Sequence, residues 1–208
     1  SGGNVWKNSP YAIAQTLMIM SVFSVFILTA FVANVVVRDD ETGFGPIIPS
    51  TRLSRFDYLF GRFTGAFFAG CLLFLSAPLG MILGAAMPWL DPEVLGPFNL
   101  WHYAYVYLLL CVPTLFVTGA GFFAIATATR SMMWTYVGVI AFLVLYLVAT
   151  GLLARPEFIN TVALVDPFGL GAYDQATRYW TAAERNTQIP DFAGYILWNR
   201  ALWVGVAF

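Results

Sequence analysis

A single histidine, His102, in a chain of 208 residues limits the chemistry at once. A histidine-based metal or catalytic centre cannot be assembled from one ring, and His102 stands beside Trp101 at the edge of an apolar run, where it reads as an interfacial side chain. The other sequence signatures of catalysis are missing. There is no Gly-x-x-x-x-Gly-Lys-Ser/Thr phosphate loop, no His-Glu-x-x-His zinc pair and no Gly-x-Ser-x-Gly nucleophile turn. The fragments Gly43-Phe44-Gly45 and Gly119-Ala120-Gly121 do not complete a dinucleotide fingerprint. Cys71 and Cys111 fall about nine residues into two apolar runs of opposite direction, so at about 1.5 Å per residue they sit at different depths and are expected to be free, buried and inert. The chain is expected not to be an enzyme and to hold no cofactor or metal of its own.

One polar segment does carry a pattern. Across 50–63, Leu53, Phe56, Phe60 and Phe63 recur at 3, 4 and 3 residues and give one apolar face, while Arg52, Arg55, Asp57 and Arg62 project elsewhere. Ser54-Arg55-Phe56-Asp57 fits a capping box. Pro46 and Pro49 interrupt any continuous helix from Arg38, so the segment should enter by a turn and leave as a short helix. Periodicity alone allows either an interfacial anchor or a docking element.

What must position that segment is a membrane bundle. Four apolar runs, 11–37, 63–87, 103–128 and 132–154, each reach or exceed the about 20 residues that cross a hydrocarbon core, and the charged residues lie between them. Lipid offers the backbone no hydrogen-bond partners, so the runs should be helices. Hydrophobic residues at 60% and charged residues at 10% exclude a water-soluble globule and a disordered chain. A formal charge of -1 without a basic stripe gives no reason to expect nucleic acid. The first run is too long for a signal-peptide core. Opening without Met and stopping at Phe208 inside a fifth apolar stretch from about 195, the chain is expected to be an excerpt of something longer.

The connection 38–62 carries Arg38, Arg52, Arg55 and Arg62, whereas the next one carries Asp91 and Glu93 without Lys or Arg. By the positive-inside rule the first faces the cytoplasm, as does Arg130 in the tight turn after the third span. The start of the chain and the loop 155–192 are then external. Trp89, Trp101, Tyr103, Trp134, Trp180 and Trp198 fall near span ends as interfacial anchors. The external loop holds a turn at Asp166-Pro167-Phe168-Gly169 and a helical pattern over 172–185, expected to lie on or dip into the outer leaflet. Pro78 and Pro113 should kink or open their helices. Gly61 with Gly65 and Gly80 with Gly84 have the spacing of close helix approach, as do Gly119 and Gly121, and all are read as bundle packing in preference to a dimer seam. Inside the four complete spans the polar residues are neutral: Gln15, Ser21, Ser24, Thr29, Thr114 and Thr118, with Asn34 near the inner end. They suit either a pathway lining or bonds between helices, and they offer no charge for proton coupling.

The run Arg38-Asp39-Asp40-Glu41-Thr42-Gly43, followed by Ser50-Thr51-Arg52-Leu53-Ser54-Arg55-Phe56-Asp57-Tyr58-Leu59-Phe60-Gly61-Arg62, resembles the segment between the second and third spans of ABC-2 type exporter permeases. In that family an acidic stretch ending in Gly leads to Ser/Thr, Pro, a Ser-Arg pair and a closing Gly-Lys. Here Arg52 stands for the usual Pro, Pro46 for a common acidic residue and Arg62 for Lys. The runs 8–16, 129–138 and 165–170 are similar to a proteobacterial group in which such a permease region precedes a zinc aminopeptidase domain in one long chain.

The resemblance implies an all-α, polytopic helix bundle, one transmembrane domain over 1–208, with a cytoplasmic coupling helix and an external re-entrant region. It implies that Thr51, Arg52, Leu53, Ser54, Arg55, Phe56 and Asp57 dock on a separate ABC ATPase subunit, which would hold the ATP and Mg. A second permease copy or homologue, multi-pass residence in the bacterial inner membrane and an exporter function follow from the same likeness. The rival expectation is a membrane anchor or scaffold for a fused or associated zinc aminopeptidase.

Overall fold

The structure is a computed structural model. It describes residues 5–41 and 54–208, with the side chains of all of these but 38–41 and 55. Among the described residues every regular element is helical, and four helical stretches are long and apolar enough to cross a membrane: Pro10–Val37, Phe56–Ala85, Leu100–Thr129 and Met132–Leu152.

Helix α1 (Pro10–Glu41) begins at Ser9, whose hydroxyl accepts from the Ala12 N–H at 3.1 Å, with Pro10 in the first turn where a missing N–H costs nothing. It is the central helix and packs against α2 (Arg55–Phe74), α5 (Val112–Thr129) and α6 (Met132–Leu152). Ile13, Leu17, Val25, Leu28 and Val32 along it are fully buried. Two close helix approaches are made on Leu28. A Cβ at Gly70 of α2 would stand 2.4 Å from its Cδ1, and one at Gly119 of α5 would stand 3.0 Å from its Cδ2. Phe63 and Phe67 of α2 meet Phe116 and Phe123 of α5 at ring-centroid distances of 5.4 to 5.7 Å, closing the α2–α5 seam. Gly61, Gly65, Gly80 and Gly84 take no part in such approaches. No atom lies within 4 Å of a Cβ built on any of them, so the spacing that suggested packing within the bundle lies on an open face of α2 and α3.

Both mid-span prolines interrupt their helices. The second span breaks at Leu75 between α2 and α3 (Ser76–Ala85), with Pro78 in the first turn of α3, and the Tyr107 hydroxyl donates to the Cys71 carbonyl at 2.6 Å beside the break. The third span starts as α4 (Leu100–Tyr105), passes through a π-helical stretch (Val106–Cys111), in which the Val112 N–H bonds back to the Tyr107 carbonyl, and continues as α5 with Pro113 in its first turn. Cys71 and Cys111 are free and buried.

The second span begins earlier than its hydropathy suggests. Helix α2 runs without interruption from Arg55, so no separate short helix precedes the span. The 155–192 loop also differs from its pattern. The expected single helix over 172–185 is two, α8 (Leu170–Thr177) and α9 (Ala182–Thr187), because Thr181 breaks the run by capping α9 through a full capping box with Glu184. Helix α7 (Ile159–Val165) packs antiparallel on α8 as a hairpin, and α10 (Gly194–Ala207) packs on both. Of the aromatic anchors, Trp89, Trp101, Trp134 and Trp198 are exposed and Trp180 is half-buried, but Tyr103 is buried in the main core, packed against Phe98.

Candidate functional site

Three connections meet at one end of the bundle, as the alternation of spans requires. The Lys7 N–H donates to the Val94 carbonyl at 2.9 Å, Asn8 exchanges two bonds with the Gly96 backbone at 2.6 and 2.7 Å, and the Trp6 N–H donates to Asn186 Oδ1 at 2.8 Å. The Tyr105 hydroxyl donates to the Pro190 carbonyl at 2.6 Å. Asn99 caps α4, and its amide lies 3.2 Å from His102 Nε2, which makes His102 part of a helix start at this end. At this end Tyr173 is held above the ordinary phenol range by burial and by Tyr11. Asp174 is held above the ordinary carboxylate range by desolvation, against the pull of Arg185.

The opposite end carries the segment singled out by its periodicity. Thr51, Arg52 and Leu53 lie outside the described residues. Ser54 is the N-cap of α2: its hydroxyl accepts from the Asp57 N–H at 3.1 Å and donates to the Asp57 carboxylate at 2.5 Å. The return bond of a capping box goes here to the Ser54 hydroxyl. Arg55 opens the helix. Phe56 and Phe60 stack at 5.8 Å and are 72% and 55% exposed, so two large apolar rings face away from the bundle. Arg62 lies over the Tyr58 ring and donates to the Val35 carbonyl at 3.2 Å, fixing the start of α2 to the end of α1.

Between the two ends lies a buried polar centre whose cation went unread in the sequence. The hairpin turn Asp166-Pro167-Phe168-Gly169 is inserted into the bundle. Phe168 is fully buried against Phe142 and Tyr146 of α6, the latter at 4.8 Å and six residues, about 9 Å, inside the end of that helix. Arg200 of α10, 4% exposed, surrounds itself with neutral acceptors: Thr114 Oγ1 at 2.7 Å, the Leu110 carbonyl at 3.3 Å, the Pro167 carbonyl at 3.4 Å and Asn199 Oδ1 at 3.0 Å from its Nε. The Asn199 amide in turn donates to the carbonyls of Ala163, Leu164 and Asp166, each at 2.9 Å. The Asp166 carboxylate accepts from the Phe168 and Gly171 N–H groups at 2.9 and 2.7 Å and closes the turn. Gly169 has φ +74, and a Cβ there would stand 2.1 Å from Arg200 Nη2, so both its backbone and its surroundings demand glycine.

The local sequence explains this assembly. The π-helical stretch ahead of Pro113 shifts the backbone pairing of the third span, and Leu110 lies within it with its carbonyl turned to Arg200. A guanidinium inside a membrane bundle is costly unless it is paired with polar groups, and five donors in a rigid fork can tie separate elements together. Here they tie α10, the third span and the hairpin. The signal available in sequence was Asn199-Arg200 inside the fifth apolar stretch.

Of the other buried polar side chains of the spans, Thr29 has no hydrogen-bond partner, and most of the rest satisfy themselves locally. Ser21, Ser24 and Thr118 donate to carbonyls three or four residues back, Gln15 donates to Tyr11, and Thr114 also reaches the Phe168 carbonyl at 3.4 Å. Neither a polar pathway nor a general web of bonds between helices forms from them. No group of three or more His, Cys, Asp or Glu that could hold a metal ion occurs among the described residues. No protein-family model, no curated protein and no solved structure matches the chain.

Proposed function

We propose that the chain is the membrane-spanning permease subunit of an ATP-driven ABC exporter of the ABC-2 type. In this reading it works in the bacterial inner membrane, paired with a second permease copy or homologue and with separate ATPase subunits that bind ATP and Mg. The observation that carries this reading is the form of α2. It is one rigid helix from a capped start, with the stacked Phe56 and Phe60 turned outward at that end and the Leu28 contact of Gly70 about four turns further on. An apolar pair at a helix start suits a docking contact. A force applied at Ser54–Asp57 would travel along an unbroken helix to a close junction of the bundle. The resemblance of 38–62 to coupling segments supports the same reading, as does the buried hairpin on the other side.

The test uses the full chain and its ATPase. Replacing Phe56 and Phe60 together by Ala, both exposed, is expected to leave membrane insertion intact and to reduce co-purification of the ATPase. Transport by the reconstituted complex is expected to require ATP hydrolysis and to persist when an uncoupler collapses the proton gradient. Unchanged co-purification and unchanged stimulated ATPase activity would reduce the protein to an anchor or scaffold. Loss of transport on adding an uncoupler at constant ATP would point instead to a secondary transporter.

A further inference from the structure

Seating the hairpin brings a second group of cations together. A cavity of about 460 Å³ opens at the end where the 155–192 loop lies, between the end of α6, the hairpin, α9 and Tyr11 at the start of α1. Arg155, Arg178 and Arg185 line it from three different elements: the turn after α6, the end of α8 and the middle of α9. One carboxylate, Asp174, stands among them. Three guanidinium groups against one carboxylate, on a chain with a formal charge of -1, are a local concentration of positive charge rather than a sample of the whole surface.

These cations are not consumed by the fold. The Arg185 guanidinium lies 4.7 Å from the centroid of the Tyr11 ring, and its Nε is buried without a hydrogen-bond partner. Arg178 lies 5.6 Å from the centroid of the Tyr179 ring, and Arg155 has no side-chain hydrogen bond or ion pair among the described residues. Gln175 donates its amide to Asn160 Oδ1 at 3.2 Å while its own Oε1 is buried and unpartnered in the same wall. Buried polar atoms left without partners are few in folded proteins and each calls for a reason. Here two residues lining one cavity, Arg185 and Gln175, carry a buried donor and a buried acceptor without partners, next to two further arginines.

The chemistry these groups would satisfy together is specific. Guanidinium forks match the tetrahedral oxygens of phosphate, and three lining one cavity from different elements suit that shape better than a planar carboxylate, which one fork can hold alone. The vacant Gln175 oxygen and the Asp174 carboxylate require a donor on the same ligand. Leu153, Ile159 and Val162 add apolar lining to the same cavity. Next to it the exposed α6 residues Leu145, Val148 and Leu152 lead toward the lipid. The volume lies within the range of small-molecule sites, about 300 to 1,000 Å³.

We propose that this cavity binds a phosphate group carrying a hydroxyl or ammonium donor beside it, the chemistry shared by a phospholipid headgroup and by a soluble phosphate monoester. Phosphate oxygens would be held by Arg155, Arg178 and Arg185, and the donor by Gln175 and Asp174. The site would exist on an exporter or on an anchor alike, and loss of ATPase co-purification has no bearing on it.

The experiment is titration calorimetry on the purified full chain in a neutral detergent. The probes are short-chain phosphatidylglycerol below its micellar concentration, glycerol 3-phosphate, and short-chain phosphatidylcholine, whose phosphate has no neighbouring donor. Saturable binding of phosphatidylglycerol is expected, with phosphatidylcholine at least about tenfold weaker, the worth of one charge-assisted hydrogen bond. Arg155→Gln and Arg178→Gln, both at exposed positions, should each weaken binding about tenfold, and Arg178→Lys should restore part of the loss. Retained detergent-unfolding midpoints show that these variants are folded. Binding of glycerol 3-phosphate with similar affinity assigns the site to a soluble phosphate, and its failure beside a bound phosphatidylglycerol assigns it to lipid. Absence of saturable binding by every probe, equal binding of phosphatidylcholine, or binding unchanged in the Arg155→Gln/Arg178→Gln double variant would overturn the proposal.

Discussion

Replacing Arg200 by Met removes the one side chain that holds α10, the third span and the hairpin turn in a single fork. Five hydrogen bonds are lost, two of them to Asn199 and the others to Leu110, Thr114 and Pro167. Side-chain bonds inside membrane proteins average about 0.6 kcal/mol and reach about 1.7 kcal/mol, so the five amount to about 3 kcal/mol before relaxation. Met nearly conserves the volume, so no large cavity term adds to this. Removing the buried charge relieves some desolvation, while Asp166, electrostatically coupled to Arg200, loses its compensating cation, and these two changes oppose each other.

A net loss of about 3 kcal/mol is more than a hundredfold in the opening equilibrium. Cys111 provides the assay, because it is fully buried, free and next to Leu110, whose carbonyl Arg200 holds. In a Cys71→Ala background only Cys111 can react. Its alkylation rate in mild detergent should rise about a hundredfold in Arg200→Met, in step with the opened population. Arg200→Lys should give most of the same rise, since one ammonium cannot span three elements. An alkylation rate and an unfolding midpoint that match the parent protein would refute the reasoning and make Arg200 a bystander in a site held by packing alone.

Gly169→Ala should destabilise by at least about 1 to 2 kcal/mol from its left-handed backbone alone, with a further loss from the collision at Arg200, measured by detergent unfolding. In the double variant with Arg200→Met the collision term should vanish, so the two changes should be less than additive. Cysteines introduced at Ser54 and Glu93 should be labelled from opposite sides of the membrane, Ser54→Cys only after permeabilisation. Labelling of Ser54→Cys on intact cells would reverse the proposed orientation. The Glu184 carboxyl is held below its ordinary range by its bonds to the Thr181 N–H and hydroxyl, at 2.7 and 2.8 Å. Its contribution to α9 is therefore present above the ordinary carboxylate value and lost as pH falls through the lowered one. The protection factor of the Thr181 amide, measured against its intrinsic exchange rate at each pH, should fall across that acidic window and stay constant in Glu184→Gln.

The spans were legible because lipid leaves the backbone no alternative to a helix, and a run of about 20 apolar residues states its own length. Pro78 and Pro113 were legible for a related reason, since a missing N–H disturbs a helix wherever the neighbours stand. Glycine pairs were not, because their spacing defines a face without saying what covers it. Gly61, Gly65, Gly80, Gly84 and Gly121 lie open, and of the glycines so paired only Gly119 makes a tight contact, on the same leucine of a third helix that Gly70 meets. The helical pattern over 172–185 misled because period alone does not mark an internal N-cap such as Thr181. Arg200 was visible as a lone charge in an apolar stretch. Its partners, however, are backbone carbonyls freed by conformation and an adjacent asparagine, and carbonyls have no letter in a sequence.

The buried hairpin turn also dictates an order of assembly. The turn leaves the ribosome about thirty residues before Arg200, yet the side chains that occupy its carbonyls, Asn199 and Arg200, belong to the later helix. Until α10 arrives, the Pro167 carbonyl has no donor and the Asp166 carbonyl has only the Gly169 N–H, so the turn is costly to place in hydrocarbon. Alone, α10 carries an arginine whose insertion costs about 2.5 to 3.5 kcal/mol at a helix centre. Hairpin and helix therefore enter the membrane as one unit, each supplying the polar groups that make the other soluble in lipid, and a nascent chain halted before Asn199 would leave α7 and α8 at the membrane surface.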